Sequence, residues 1–282
     1  MSKPTTPEAS STPLAPPAPL LLTVQGRASF ALATPEAQAP LHLLLHGAGH
    51  DHAVWADVQA GMAQQGMSCA ALDLPGHGRS EGPPLPSIEA LAHWVLAWLE
   101  AAEVRQPVCL IGHSMGSLVA LSAAALLGSR CQALWLVGTA YPMRVSGKLL
   151  ALAHDTPAEA MALVNRYSHH ADLPGLAERL ERNMAMMQRN EALAPSLPLL
   201  HHDLSLCKHY EAAPAAMPLV SAPSAVVLGE FDQMTPPEAA QALVDGLGAA
   251  RHVLPCGHAL PDEMSQALVG LLARGLPRTQ AQ

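Results

Sequence analysis

The 282-residue chain has few aromatic and few charged residues. Phe, Trp and Tyr make up 3% of the sequence, and Asp, Glu, Lys and Arg together make up 13%. The formal net charge is −8. A chain of this sign has no electrostatic attraction to the phosphates of a nucleic acid or to an anionic membrane surface. We therefore predict no nucleic-acid partner. Because half of the residues are apolar, the chain can still bury a sizeable core.

Cysteine is scarce and its spacing is wide. There are five cysteines, an odd number, and no Cys-x-x-Cys pair occurs among them. This pattern excludes a disulfide framework and the usual zinc sites, and it fits thiols that stay reduced in a cytosol. The cysteines are Cys69, Cys109, Cys131, Cys207 and Cys256.

Long apolar runs are also missing. The first apolar stretch, Leu20 to Val24, is too short for a signal peptide, and Lys3 alone is basic before it. No stretch approaches the roughly 20 apolar residues of a membrane span. We predict a cytoplasmic protein without membrane insertion. Residues 1–19 are rich in Pro, Ser, Thr and Ala, which is a composition typical of a disordered tail.

Fifteen histidines raise the question of a metal site, but the motifs of metallohydrolases are absent. Neither His-Glu-x-x-His nor His-x-His-x-Asp-His occurs. The densest clusters are His50-Asp51-His52 and His201-His202-Asp203. We predict no catalytic metal and no cofactor, and we expect the first cluster to lie at the entrance of a site.

Short apolar runs alternate with longer Ala- and Leu-rich segments. Each run has the length of a strand, is apolar on both faces and ends at a Gly, Pro, His or Asp turn. Strands buried on both faces and separated by helices indicate a parallel sheet. The predicted strands are 41–45, 68–72, 108–111, 133–137, 225–228 and 251–254. The predicted helices are 87–103, with Ser87 as N-cap, 114–127, 237–246 and 262–274.

Residues 141–221 break this alternation. They contain no strand-like run and hold six of the twelve methionines. The Thr156-Pro157-Ala158-Glu159 sequence has the residue types that begin a helix. We predict that this stretch, called the lid segment below, is a helical insertion. Residues 20–140 and 222–282 are then predicted to form an α/β core, a mostly parallel sheet with helices on both faces.

One short motif points to chemistry. The third predicted strand runs into Gly112-His113-Ser114-Met115-Gly116, and an Ala-rich helix follows directly. Gly-x-Ser-x-Gly between a strand and a helix is the nucleophile elbow, a sharp turn that presents its serine. The glycines are needed because side chains two residues before and after the serine would collide with neighbouring strands. Ser114 is the predicted nucleophile.

With this motif the chain resembles the α/β-hydrolase superfamily, in its small lidded form, over nearly its whole length from about Leu20. Three more segments carry the resemblance, in the expected order. They are the oxyanion strand and loop Leu43-Leu44-Leu45-His46-Gly47-Ala48-Gly49, the stretch Asp73-Leu74-Pro75-Gly76-His77-Gly78-Arg79-Ser80, and the acid and histidine turns around Asp232 and Gly257-His258. The resemblance implies that Ala48 supplies one oxyanion N–H. The residue after the nucleophile, Met115, supplies the other.

The residues themselves lead to the same triad. A serine hydroxyl needs a base within hydrogen-bond reach, and histidine has a suitable pKa. In this fold the partners follow in the order Ser, acid, His. Among the histidines after Ser114, only His258 lies just beyond a predicted strand, on a Gly-marked loop. Asp232 also follows a strand, and Glu230 is its nearest competitor for the acid role. We predict that Asp232 is the acid. Asp73 precedes the serine, and we expect it to hold the turn that contains Gly76 and Gly78.

The predicted function is hydrolysis of an apolar, small-molecule carboxylic ester through an acyl-enzyme. A serine at position 114 argues against a dehalogenase or an epoxide hydrolase, because the enzymes of these two classes that have this fold use an Asp nucleophile. A thioesterase, a carbon–carbon bond hydrolase and a cofactor-free haloperoxidase or perhydrolase remain alternatives, because the fold does not fix the substrate. A ligand-binding receptor that keeps the fold is the alternative outside enzymes.

Overall fold

Apolar strands form the centre of the molecule. The computed structural model describes residues 13–35 and 40–276. Eight strands form one sheet in the order β1-β2-β4-β3-β5-β6-β7-β8, in which the neighbours from β4 to β8 are parallel. They are β1 (Ala18–Val24), β2 (Arg27–Ala33), β3 (Leu41–Leu45), β4 (Cys69–Leu72), β5 (Val108–His113), β6 (Cys131–Val137), β7 (Ser224–Gly229) and β8 (Ala250–Leu254). The predicted mostly parallel sheet is confirmed.

All six predicted strands are present, with bounds shifted by up to two residues. The prediction for the last of them was wrong in one respect. β8 lies at the edge of the sheet, and the side chains along it are exposed or only partly buried, so it is not apolar on both faces. An edge strand has a neighbour on one side only and can therefore tolerate residues such as Arg251.

Two strands were not predicted. β1 and β2 form an antiparallel hairpin around Gln25 and Gly26, and β2 continues antiparallel to β4. The predicted tail is too long by two residues, because Ala18 already pairs with Ala33. Its first twelve residues lie outside the described part of the chain. Within the tail, the Leu14 N–H donates to the Ala63 carbonyl.

Helices cover both faces of the sheet. The eleven described α-helices are α1 (Ala56–Gln64), α2 (Ile88–Ala101), α3 (Met115–Leu127), α4 (Gly147–Asp155), α5 (Pro157–Ser168), α6 (Leu176–Leu193), α7 (Leu199–His209), α8 (Ala213–Ala216), α9 (Gln241–Leu247), α10 (Leu260–Glu263) and α11 (Ser265–Arg274). One apolar cluster joins α2 and α3 to the sheet, and a second joins α1 and α11 to its other face. Short 3₁₀ helices occupy His52–Trp55, Gly128–Arg130, Met217–Leu219 and Pro237–Ala240.

The ends of the helices follow the chemistry of their caps. The Ser87 hydroxyl accepts the Ala90 N–H at 3.1 Å, so this predicted N-cap is confirmed. α5 begins at Pro157 as expected, but its capping box does not form. The Thr156 side chain makes no cap bond and instead donates to the Leu152 carbonyl of the preceding helix.

The described lid segment is helical. Five α-helices, α4 to α8, and one 3₁₀ helix lie between β6 and β7, with no strand among them. A third apolar cluster belongs to this region, with Ala153, Met161, Met187 and Leu200 among its buried residues. The division of the chain into core and lid stays a prediction. No helix in the two described stretches is long and apolar enough to cross a membrane.

Candidate active site

Ser114 has a backbone conformation that few residues other than glycine adopt. β5 ends at His113 and α3 begins at Met115, so Ser114 stands alone between them with φ +52° and ψ −119°. A non-glycine residue with positive φ is uncommon, and such strain persists only where the surroundings enforce it. One enforcing contact is a hydrogen bond of 2.9 Å from the Ser114 N–H to the Val137 carbonyl at the end of β6.

The glycines around Ser114 are required by close backbone approach. A Cβ on Gly116 would collide with the carbonyl of Leu45 on β3, as predicted. A Cβ on Gly112 would collide with the carbonyl of Gly116 in the first turn of α3, and not with a neighbouring strand. Gly47 is a third case, since its Cβ would lie 3.1 Å from the Cβ of Ser114. The elbow and the loop after β3 therefore touch.

Asp232 follows β7 and is almost fully buried. Its Oδ1 accepts the N–H groups of Met234 and Thr235, each at 2.8 Å. Its Oδ2 accepts the Thr235 hydroxyl at 2.7 Å and the His258 Nδ1–H at 2.8 Å. Glu230, the competing acid, is exposed. Of the two carboxylates, the structure brings only Asp232 to His258.

These contacts determine the charge of Asp232. Burial by itself would raise the pKa of the carboxyl. The His258 imidazole and the hydrogen bonds from His258 and Thr235 outweigh burial and hold the pKa below its usual value. The carboxylate is therefore ionised at neutral pH.

His258 lies on the loop between β8 and α10 and is 5% exposed. Its Nδ1 donates to Asp232, so in the neutral ring Nε2 carries no hydrogen and is free to accept one. The His113 ring packs against the His258 ring at 4.9 Å between centroids, and its Nε2–H donates to the His258 carbonyl at 2.8 Å. His113 and His258 are thus held together beside the elbow.

Glu263 fixes the loop that carries His258. Its carboxylate is buried, with Oε2 accepting the Gly257 N–H at 2.8 Å and Oε1 accepting the His170 N–H at 3.2 Å. The Ala259 N–H donates to the Ser168 carbonyl in the lid segment. The position of His258 therefore depends on contacts from both its own loop and α5.

The two predicted oxyanion residues follow the ends of β3 and β5. Met115 is the first residue of α3, where a backbone N–H has no acceptor within the helix. The N–H of Ala48 has no hydrogen-bond acceptor among the described residues. The elbow touches the Ala48 loop through Gly47, so both N–H groups belong to the surroundings of Ser114.

The hydrogen bond between the predicted nucleophile and the predicted base is not formed in this conformation. No hydrogen bond joins Ser114 Oγ to His258 Nε2 in the described ranges 13–35 and 40–276. Such bonds are often long or poorly aligned before substrate binds, so the geometry does not rule out either residue.

A cleft of about 640 Å³ opens beside His258. Its lining combines apolar and polar side chains. Met186 is the one lid methionine that lines it, whereas Met161 and Met187 pack in the lid's own apolar cluster. The polar lining residues include His50, His113, His169, Arg179, Arg182, Asn183, Arg189 and Asp262.

His50 presents an acceptor in this region. The Asn165 Nδ2 donates to the Leu180 carbonyl, so its Oδ1 accepts from Asn183 Nδ2 at 2.8 Å. The Oδ1 of Asn183 then accepts the His50 Nε2–H at 2.8 Å. Burial, working against Asp51 and Asn183, lowers the pKa of His50 to about 4. The ring is therefore neutral and its buried Nδ1 has no partner in the described chain.

The geometry of one cluster would allow a metal ion. Ligand atoms of Asp51, His52 and Asp73 lie within 4.8 Å of one another. These atoms already bind protein groups. Asp73 Oδ1 accepts the His52 Nδ1–H at 2.7 Å, and Asp51 Oδ1 accepts the Ala53 N–H at 2.9 Å. Asp73 Oδ2 accepts the Arg79 N–H, so Asp73 holds its turn as predicted.

No role in the site was assigned from the sequence to several residues: Thr235, Glu263, His113, Asn183, Asn190 and Asp203. Thr235 had a signal, because a hydroxyl three residues after an Asp at the end of a strand suits a local side-chain turn. The lid residues had none, since their partners are more than 100 positions away in the sequence.

Three comparisons bear on this arrangement. A family model described as the alpha/beta hydrolase fold matches residues 40–263. A stretch of 106 residues is 37% identical to protein phosphatase methylesterase 1 of Mus musculus, which amounts to 36% of this chain and 27% of that protein. The match therefore spans less than a third of that relative's length.

Solved structures share the fold over nearly the whole chain. A thermophilic esterase from Thermogutta terrifontis superposes with a TM-score of 0.77 at 19% identity, covering 91% of this chain and 97% of that one. The enol-lactonase from Burkholderia xenovorans gives a TM-score of 0.72 at 21% identity, covering 90% and 98%. At these identities the likeness bears on the fold alone.

Proposed function

The chain belongs to the α/β-hydrolase fold family, and from that premise we propose that it is a serine hydrolase acting on a carboxylic ester. The observation that carries the proposal is the hydrogen bond from His258 Nδ1 to the buried Asp232 carboxylate. It leaves Nε2 as a proton acceptor on a ring that packs beside the elbow of Ser114.

In the proposed reaction the Ser114 Oγ attacks the ester carbonyl and its proton passes to His258 Nε2. Asp232 stabilises the imidazolium that forms, without taking the proton itself. The tetrahedral intermediate collapses when the C–O bond to the alcohol breaks and His258 protonates the leaving oxygen. The product of this half-reaction is an acyl group covalently bound to Ser114.

The second half-reaction repeats these steps with water. His258 removes a proton from water, the hydroxide adds to the acyl carbonyl, and the Ser114 oxygen leaves with the proton from His258. In both halves the negative charge develops on the carbonyl oxygen, where the N–H groups of Ala48 and Met115 are proposed to bind it. One such donor typically contributes about 10²- to 10³-fold to turnover.

The test uses purified protein and p-nitrophenyl esters of graded acyl length. We expect a burst of p-nitrophenol followed by a steady rate, and we expect a fluorophosphonate probe to label Ser114 in a mass-spectrometric peptide map. Ser114→Ala should abolish both turnover and labelling. Ser129→Ala, at an exposed serine on the 3₁₀ helix after α3, is the matched control and should retain both.

The outcomes separate the alternatives. If Ser114 is labelled and matched thioesters are cleaved faster than esters, the substrate is assigned as a thioester. Labelling without turnover of any ester or thioester would point to carbon–carbon bond cleavage or peroxide chemistry. Neither labelling nor turnover would contradict the enzyme proposal and leave a ligand-binding role.

A further inference from the structure

Two buried polar side chains of the lid segment reach into the core. Asp203 lies on α7 and Asn190 on α6, and each is 1% exposed. A buried carboxylate and a buried amide are costly unless they are hydrogen-bonded. Their partners therefore show what these two residues hold in place.

Both residues bind the same backbone unit, Gly49. Asp203 Oδ2 accepts the Gly49 N–H at 2.8 Å, and Asn190 Nδ2 donates to the Gly49 carbonyl at 3.1 Å. Gly49 has φ +70°, which a glycine adopts without strain, and it directly follows Ala48. The lid segment thus satisfies both backbone polar groups of the residue next to the predicted oxyanion donor.

The same two side chains also bind the turn after β4. Asp203 Oδ2 also accepts the His77 Nε2–H at 2.8 Å, and Asn190 Oδ1 accepts the Gly78 N–H at 2.9 Å. Because the Gly78 N–H requires an acceptor, the amide of Asn190 has one orientation only. We call Asp203 and Asn190 the Gly49 clamp, since together they tie Gly49 to α6, α7 and this turn.

Besides the His50–Asn183 bond described above, few hydrogen bonds hold the loop. The His50 N–H donates to the Gly47 carbonyl at 3.2 Å, and His46 Nδ1–H donates to the same carbonyl at 2.9 Å. These bonds fix the start of the loop, whereas its continuation after Ala48 is held by the clamp. The direction of the Ala48 N–H depends on both ends of the loop.

We propose that Asp203 and Asn190 are positioning residues that aim the Ala48 N–H at the developing oxyanion. The lid segment then completes the site rather than only covering it. This inference rests on the proposed ester hydrolysis. A loosened donor would be missed mainly in the transition state, where the negative charge is largest, so its loss should lower kcat and leave KM nearly unchanged.

The key comparison is Asp203→Ala, Asp203→Asn and His202→Ala. In the structure, a single oxygen of Asp203 accepts both N–H groups, so the amide oxygen of Asn can replace it. His202 is the matched control one position earlier on α7. Its Nε2 donates to the Leu85 carbonyl at 2.9 Å, which ties the lid to the core without touching residues 47–49.

We expect Asp203→Ala to lower kcat about 10-fold or more, with KM within about 2-fold, because it displaces a donor that contributes about 10²- to 10³-fold. Asp203→Asn should restore most of the loss. His202→Ala should leave kcat unchanged even if it lowers Tm by as much as Asp203→Ala. Equal kcat losses in His202→Ala and Asp203→Ala, or no rescue by Asn, would overturn the proposal.

A second measurement does not depend on activity. Hydrogen exchange of peptides covering residues 47–52 should speed up in Asp203→Ala and stay at the wild-type rate in His202→Ala. If wild-type protein cleaves no ester, the proposed function fails, and this exchange still decides whether the clamp holds the loop. If Asp203→Ala does not fold, Asn190→Ala replaces it in both measurements, with the same expected split between kcat and KM.

Discussion

At the scale of single residues, hydrogen bonds decide which atom carries each proton. Asp232 Oδ1 is occupied by two backbone N–H groups, which leaves Oδ2 for Thr235 and His258. His46 is fixed in the same way, because its Nε2 accepts the Leu74 N–H and its Nδ1–H donates to the Gly47 carbonyl. Replacing an acceptor by a donor at such a position changes the tautomer of its partner.

If Asp232 is the acid of the proposed triad, we predict that Asp232→Asn lowers kcat by on the order of 10⁴-fold, the loss known for an Asp-to-Asn change in a Ser-His-Asp triad. The two backbone N–H groups will hold the amide oxygen of Asn at the Oδ1 position. The NH₂ group then faces His258 Nδ1, which must become an acceptor and leave Nε2 protonated. Steady-state hydrolysis of a p-nitrophenyl ester measures the loss.

Glu230→Gln is the control for this prediction, since Glu230 is exposed on the same loop. Its kcat should stay within about 2-fold of the wild-type value. A large loss in Glu230→Gln with a small loss in Asp232→Asn would assign the acid role to Glu230.

At the scale of elements, the strands and helices that could be predicted from the sequence are those with a clear local hydrophobic pattern. β3 to β7 are buried on both faces and appear as continuous apolar runs, so they were predicted. β1 buries alternate residues only partly, and β2 pairs with it through a short turn, so neither produced such a run. α1 was missed as well, because its apolar periodicity is weak and Gly61 interrupts it.

The residues of the candidate site also divide into those with a local sequence signal and those without one. Ser114, Asp232 and His258 could be predicted because each follows a predicted strand in a short motif. The Gly49 clamp could not be predicted, because Asp203 and Gly49 are 154 positions apart and no local pattern links the two residues. Long-range contacts of this kind follow from how α6 and α7 pack on the core.

For the lid helices, we predict that Met186→Ala shifts the preferred acyl length of the ester upward. Met186 is the lid methionine that lines the cleft, and shortening it makes room for more methylene groups. Each added methylene that is buried contributes about 0.8 kcal/mol, or about 4-fold in kcat/KM. The measurement is kcat/KM across esters from acetyl to dodecanoyl, with acetyl esters nearly unaffected.

Met161→Ala is the control, since Met161 is buried in the apolar cluster of the lid and does not line the cleft. It should lower the free energy of unfolding by about 2–5 kcal/mol while leaving the acyl profile unchanged. If both variants leave the profile unchanged, acyl specificity does not depend on this face of α6.

At the scale of the whole molecule, buried histidines make stability depend on pH. Burial is the main cause that lowers the pKa of His42, His46, His50 and His113. Burial also acts on His52 and His77, but bonds to Asp73 and Asp203 outweigh it and raise their pKa. The first group, with lowered pKa values, stays neutral in the folded state. The second group, His52 and His77, binds a proton more readily in the folded state than in the unfolded chain.

We predict that the free energy of unfolding is highest near pH 6.5 and falls on both sides. Below pH 6.5, the histidines of the first group bind protons in the unfolded chain but not in the folded state. The free energy of unfolding therefore falls by about 1.4 kcal/mol per pH unit for each such proton. For His50 this loss continues to about pH 4. Above 6.5, the stability that His52 and His77 contribute disappears as pH rises through their raised pKa values.

Urea unfolding at half-unit steps from pH 4.5 to 9 measures this profile. His50→Gln should reduce the acid slope by about one proton, and His154→Gln, at an exposed position, should leave it as in wild type. A profile that keeps rising below pH 6.5 would contradict the neutral buried histidines.

The separation between Gly49 and its clamp has a consequence for the growing chain on the ribosome. The elbow and the loop after β3 emerge early, while Asp203 follows 154 positions after Gly49, and Asp232 and His258 come later still. A nascent chain that ends within the lid segment therefore has the proposed nucleophile but neither the proposed acid nor the proposed base. The proposed ester cleavage requires His258, so a ribosome stalled before that residue is expected to carry no active enzyme.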